Sequence, residues 1–248
     1  MSTPLWIAEA ADEFWRLVGT AEAFPRSLRR PIADALPLTL VHVPHLRVHA
    51  AEAWLRRCGV VCAVGAGDRP LHAALVARYG EGCLFLDSAD SDDEQRLSLA
   101  HELAHYLRHY RQVRQRVQAR LGADALDVLD GLRPASRTER VDALLAGVSI
   151  GYYVHLMRRD DDGSLPDRRT LTAEREADLL AYELLAPAAR VSEEATSGAL
   201  DQRRQGAEAS LRRDYGLPSA AATEYANQLF PAPAESFVRR LTVVVRRE

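Results

Sequence analysis

The sequence predicts an α+β fold, a small twisted sheet followed by packed helices, and two patterns predict it. Between residues 38 and 87, short apolar runs at 38–43, 60–64, 71–79 and 83–87 are separated by Pro44 and by glycine clusters at 65–67 and 80–82, the signature of brief strands joined by turns. From residue 92 onward, apolar residues recur at helical spacing through long stretches without proline, interrupted by Gly122, Pro187 and the Gly216-Leu217-Pro218 break.

Composition narrows the class. At 248 residues the chain can bury one sizeable core, and 47% hydrophobic with 27% charged residues is the balance of an ordinary globular protein. A net charge of −3 gives no overall attraction to nucleic acid or to an anionic membrane. All 32 basic residues are arginine, which G+C-rich coding explains without any recognition role. The acidic N-terminus is no secretion signal, and the longest apolar run, near 144–154, is shorter than the roughly 20 residues a bilayer requires. Three cysteines (Cys58, Cys62, Cys83) form no disulfide framework. The expectation is a cytoplasmic chain with no membrane partner.

In order, residues 4–20 and 26–36 read as amphipathic helices parted at Pro25, with Trp6 and Trp15 facing the core. Leu38–Val43 alternates as a strand, 48–58 is a helix stopped by Gly59, and three further strand candidates follow. The acidic loop 87–94 is expected to cap the next helix, whose positive end it suits. Residues 111–120 continue helically, 124–132 form another short helix, and 150–157 are strand-like before the turn Asp160-Asp161-Asp162-Gly163. After Pro187 come helices at 190–196, 199–215 and 219–229, and a strand-like run at 237–245. The whole is read as a single domain, 1–248: N-terminal helices 1–37, a core 38–190 carrying an insertion 111–170, and a helical C-terminal subdomain 191–248.

The chemistry centres on Ala100-His101-Glu102-Leu103-Ala104-His105. On a helix, His101 and His105 lie one turn apart on one face, so both imidazoles can hold one ion, and Glu102 can reach a water beside it. This is the HExxH arrangement of zinc proteases, with His101 and His105 as metal ligands and Glu102 as general base. A small sheet followed by such a helix is the zincin architecture, in which a peptide can add to an edge strand. A zinc site needs a third protein ligand. Arg108 and Arg111 occupy the glycine and histidine positions of the metzincin extension, which excludes that solution; His109 reads as a partly exposed helix residue. The remaining source is a second helix, 172–187, capped by Thr170 or Thr172 and ended by Pro187. There Glu174 and Asp178 are i and i+4. One can bind the metal while the other holds the second nitrogen of a ligating histidine. Glu174 is preferred as ligand over Glu176, with Asp178 as the histidine's partner.

These two segments, with Glu174-Arg175-Glu176-Ala177-Asp178 continuing through Leu184-Leu185-Ala186-Pro187, resemble the ImmA/IrrE family of zinc metallopeptidases. The second motif departs from the family pattern at Leu180, where phenylalanine is usual, and the long separation of His105 from Glu174 marks 111–170 as an insertion. The resemblance covers roughly residues 40–190. It implies a Zn2+-dependent endopeptidase that cleaves a helix-turn-helix repressor as a switch for mobile-element, stress or anti-phage genes. It extends to the defence-associated CapP type, which lacks a fused DNA-binding module. Single-stranded DNA or another damage signal is the expected activator. Three further expectations concern the site. Cys83, on the strand before the HExxH helix, is a candidate inhibitory thiol, and Cys58 and Cys62 are weaker ones. Tyr153 and His155, in a stretch that also holds Tyr152, are candidate oxyanion donors. The competing class is a regulatory or nucleic-acid-responsive binding protein on the same fold, with arginine-rich helices at 108–120 and 203–213 facing phosphates.

Overall fold

The computed structural model describes residues 4–19, 22–60, 67–150 and 168–232. Among them, three strands form one sheet in the order β1-β3-β2: β1 (Leu38–Val43), β2 (Ala73–Arg78) and β3 (Glu81–Asp87). Central β3 runs parallel to β1, with Leu40 opposite Leu84, and antiparallel to β2, with Leu75 opposite Leu84. Tyr79 and Gly80 join β2 to β3 with φ of 56° and 85°. Positive φ at both central residues is the turn geometry whose twist matches that of the paired strands. The sequence-predicted gap at 80–82 is therefore shorter in fact, since Glu81 and Gly82 already belong to β3. The predicted strand at 60–64 has only Val60 among the described residues, and Val60 is not in a strand.

Helices surround this sheet. Helix α1 (Leu5–Val18) buries Ile7, Ala11 and Phe14, one stripe at helical spacing, and Gly19 at φ 90° ends it. After α2 (Arg29–Ala35), α3 (Val48–Arg57) buries Val48, Ala51 and Leu55 on the sheet face that carries Val41, Val76 and Phe85. The opposite face, with Leu38, Leu75, Leu84 and Leu86, belongs to the principal core with α1, α4 (Asp92–His105) and α8 (Arg168–Leu185). Ser91 caps α4 by accepting from the Glu94 amide at 3.3 Å, and Asp92, Asp93 and Glu94 fill the first turn, where the helix dipole favours negative charge. Asp87, by contrast, accepts from the His45, Leu46 and Ala89 amides and pins the turn after β1.

Two expectations about the helices change. Beyond His105 the helix does not continue as α: Tyr106–Arg111 is a π-helical turn, and α5 (Gln112–Leu121) resumes after it. On α8, Thr170 and Thr172 are not caps; the chain is already helical at Arg168, whose carbonyl accepts from the Thr172 hydroxyl at 2.8 Å. Helices α6 (Ala125–Leu129) and α7 (Arg137–Ala146) complete the described part of the insertion, and Val117, Ala125 and Leu129 form its small core. A capping box between Ser136 and Glu139 starts α7 and left-handed Gly147 ends it. Helices α9 (Ala188–Glu194), α10 (Leu200–Arg213) and α11 (Ser219–Leu229) build a second core against Tyr182 and Ala186 at the end of α8. No described helix is long and apolar enough to cross a membrane.

The contact that positions the site is α4 on α8. Ala100 and Ala104 on one helix and Ala177 and Ala181 on the other are fully buried in the same core. Alanines at i and i+4 make low ridges that let two helix axes approach closely. Ala177→Leu should force α8 away from α4 and destabilise the protein by about 1–3 kcal/mol. Leu145→Ala on the exposed face of α7, where Leu145 is 80% exposed, should change stability by less than about 0.5 kcal/mol. Denaturant unfolding of both variants measures the difference.

Candidate metal centre

At the end of α4 the two histidines project from one face toward α8. His101 Nε2 and His105 Nε2 are 3.0 Å apart. Glu174 completes the triangle, with Oε2 at 3.5 Å from His101 Nε2 and Oε1 at 3.5 Å from His105 Nε2. His105 is fully buried, while the His101 and Glu174 side chains keep 19% and 12% of their exposure, so the cluster meets solvent on one side only. The other nitrogen of His101, Nδ1, lies 2.9 Å from Asp178 Oδ1.

This geometry fits a metal ion on its own chemistry. If Asp178 accepts the Nδ1 proton, a neutral His101 must present a lone pair at Nε2. A second imidazole nitrogen then faces it, with a carboxylate beside both, and three electron-rich atoms this close need a cation among them. Ligands about 2.0–2.1 Å from a tetrahedral ion stand ~3.3 Å from one another, close to the observed edges. Among the described residues, His101, His105 and Glu174 form the one group of at least three such side chains able to share an ion.

Without an ion, a proton serves the same purpose. Burial disfavours charge on His101, but the hydrogen bonds it donates to Asp178 and Glu174, helped by the Glu102 charge, raise its pKa to about 10. Burial instead pushes His105 down to about 4, and the neighbouring charged His101 acts in the same direction. Glu174 is itself buried, yet both histidines hold its carboxyl well below the usual range.

The other sequence-predicted residues divide. Glu102 is half-buried on α4, close enough for its charge to favour the charged form of His101. Glu176, the alternative ligand, points elsewhere: it pairs with Arg108, whose Nε lies 2.9 Å from its Oε2. Cys83 is not beside the histidines. Its side chain joins Val41, Val76 and Phe85 on the α3 face of the sheet, whereas Leu84 and Leu86 face α4. Cys58 is exposed at the end of α3. Cys62, Tyr152, Tyr153 and His155, with the runs 150–157 beyond Ile150 and 237–245, lie outside the described residues.

The residues just after the motif also take part, which their order along the chain does not announce. His109 Nε2 lies 3.2 Å from the Ala173 carbonyl, and its ring sits 5.3 Å from that of His105. The alternation of charge between Arg108 and Glu176 was the available signal, but it became readable only once α4 and α8 were known to be neighbours. The arginine-rich helices are largely engaged within the chain: Arg111 with Glu13, Arg114 with Asp130, Arg203 with the Ala195 carbonyl and Arg213 with Asp214.

Residues 65–126 match the family model described as the IrrE N-terminal-like domain, Peptidase_M78, a span that contains β2, β3, α4 and the HExxH motif. The match supports membership of the ImmA/IrrE family and, with it, a metallopeptidase function. No curated protein matches the chain.

The proton on His101 sets the pH dependence of metal uptake. Below about pH 10 the metal-free cluster carries that proton, and an ion must displace it. His105, neutral above about pH 4, has none to give in that range. Metal affinity should therefore rise with pH by about tenfold per unit between about pH 6 and pH 9, with close to one proton released per ion. Calorimetric titration in buffers of different ionisation heat measures both, and a pH-independent affinity would contradict the assignment.

Proposed function

We propose that the chain is a zinc-dependent endopeptidase that hydrolyses a peptide bond in a specific protein partner. The observation that carries this reading is the convergence of His101, His105 and Glu174, with Asp178 fixing the tautomer of His101. Two imidazoles and a carboxylate suit zinc and leave one tetrahedral position for water or substrate. When bound, the ion supplies Lewis acidity, lowering the pKa of water toward about 7 and polarising a carbonyl.

The protein's own groups do the rest. Glu102, next to His101 on the same helix, takes the proton of the attacking water and passes it to the leaving amine. Burial of His105 and Glu174 keeps the cluster in a low-dielectric setting where the developing charge is strongly felt. Main-chain hydrogen bonds at an edge of the sheet would hold the substrate extended beside α4.

For the substrate, the family resemblance supports a helix-turn-helix transcriptional repressor, cleaved as a regulated switch in stress or anti-phage defence, with single-stranded DNA or another damage signal as trigger. This reading is tested by co-expressing the chain with a helix-turn-helix protein encoded beside it. Specific cleavage should occur with wild type and fall by about 10²–10⁴-fold for Glu102→Gln, which removes the base but none of the ligands. Zn2+ content should be the same in both. Cleavage by Glu102→Gln at the wild-type rate would refute the assigned base.

A further inference from the structure

A polar cluster that the proposed chemistry does not use touches both ligand helices. The π turn Tyr106–Arg111 starts at the residue after His105. A π turn widens the helix and is frequent at functional sites. Here it turns two consecutive residues, Arg108 and His109, onto α8. His109 reaches the Ala173 carbonyl at 3.2 Å, immediately before Glu174. Arg108 reaches Glu176, two residues after it, with Nε to Oε2 at 2.9 Å and Nη2 to Oε1 at 3.4 Å. The segment that presents Glu174 is thus held on both sides by the chain that follows the histidines.

Arg108 is itself fixed in place. Its Nη1 donates to Gln112 Oε1 at 2.7 Å, and its guanidinium lies 4.1 Å from the centre of the Trp6 ring on α1. Three elements therefore meet at one planar cation: α1 beneath it, the π turn that carries it, and α8 across from it. A planar fork on a carboxylate fixes orientation as well as distance, which a lysine ammonium does not.

We propose that Arg108 is a positioning residue of the metal centre: through its paired contact with Glu176, backed by Trp6, it sets how far α8 is turned and slid against α4, and so brings Glu174 to His101 and His105. This inference rests on the reading of those three residues as metal ligands. A helix turns by about 100° per residue, so a small rotation of α8 would carry the Glu174 carboxylate off the histidines. The buried alanines Ala100, Ala104, Ala177 and Ala181 permit close approach but are too featureless to fix rotation, which leaves directional polar contacts to do so, the two-bonded fork of Arg108 on Glu176 among them.

The test compares wild type, Arg108→Ala, Arg108→Lys, the single substitutions Arg108→Glu and Glu176→Arg, and the exchanged pair that combines those two. Zn2+ affinity is measured by competition with a chelator, Co2+ binding by its visible absorption, and the stability of metal-free protein by thermal unfolding. Arg108→Ala should weaken Zn2+ binding by roughly 10–100-fold, the usual cost of losing a group that orients a ligand. Its Co2+ spectrum should change in shape, reporting an altered ligand set. Arg108→Lys keeps the charge and stem but not the fork, and should also weaken Zn2+ binding and alter the Co2+ spectrum. The exchanged pair should bind Zn2+ more tightly than either of its single substitutions. A purely structural role would lower the unfolding temperature and leave Zn2+ affinity and the Co2+ spectrum as in wild type; that result in Arg108→Lys, or in a folded Arg108→Ala, overturns the proposal. Wild type that takes up neither ion would instead refute the metal centre itself.

Discussion

Glu174 must meet two imidazoles one helical turn apart, so α4 and α8 have to lie in close contact at a fixed rotation, and the rest of the fold is arranged around that requirement. Close contact is permitted by small side chains, Ala100 and Ala104 on α4 and Ala177 and Ala181 on α8, all fully buried in one core. Leucines on the same helices, Leu99, Leu103, Leu180 and Leu184, fill the core to either side, packed on the sheet and on α1. Burial of this apolar surface at about 25 cal/mol per Å² drives the helices together but is indifferent to small rotations. Rotation is a matter for polar groups, and besides the approach of both histidines to Glu174, contacts from α4 and the π turn to α8 include His101 with Asp178, His109 with the Ala173 carbonyl, and Arg108 with Glu176.

The electrostatics follow from the same contact. Bringing a carboxylate to two nearly buried histidines costs desolvation, which only a positive charge at their centre offsets. In the metal-free cluster that charge is carried by protonated His101, whose Nδ1–H faces Asp178 and whose Nε2–H faces the Glu174 side, while His105 is kept neutral. A divalent cation would displace the proton and give all three donor side chains one common partner. The arrangement suits a cation in either state, and the asymmetry between the histidines comes from Asp178 lying on one of them alone.

Much of this was legible in sequence because it depends on spacing along one helix. His101 and His105 at i and i+4 must share a face, as must Glu174 and Asp178, and that spacing singled out the four residues the structure brings together, though not by itself which carboxylate meets both histidines. What was not legible depends on placement between elements. Both Cys83 and Leu84 are apolar, and both faces of β3 are covered, so alternation cannot say which face looks toward α4; the pleat puts Cys83 on the other side. Glu176 looked like a rival ligand until its partner was known, since nothing in the order of residues announces Arg108 across the interface. The π turn leaves no mark in residue type either, because its six residues are ordinary helix formers. Helix α7 is a different matter: Ser136, Glu139 and Gly147 are start and stop signals that propensity rules do recognise.

The central claim is that His101, His105 and Glu174 hold one metal ion. X-ray absorption at the zinc edge of the reconstituted protein tests it most directly. The account predicts a shell of nitrogen and oxygen about 2.0–2.1 Å from zinc, with the multiple-scattering signature of two imidazoles and no sulfur. A sulfur ligand at about 2.3 Å, or fewer than two imidazoles, would contradict it.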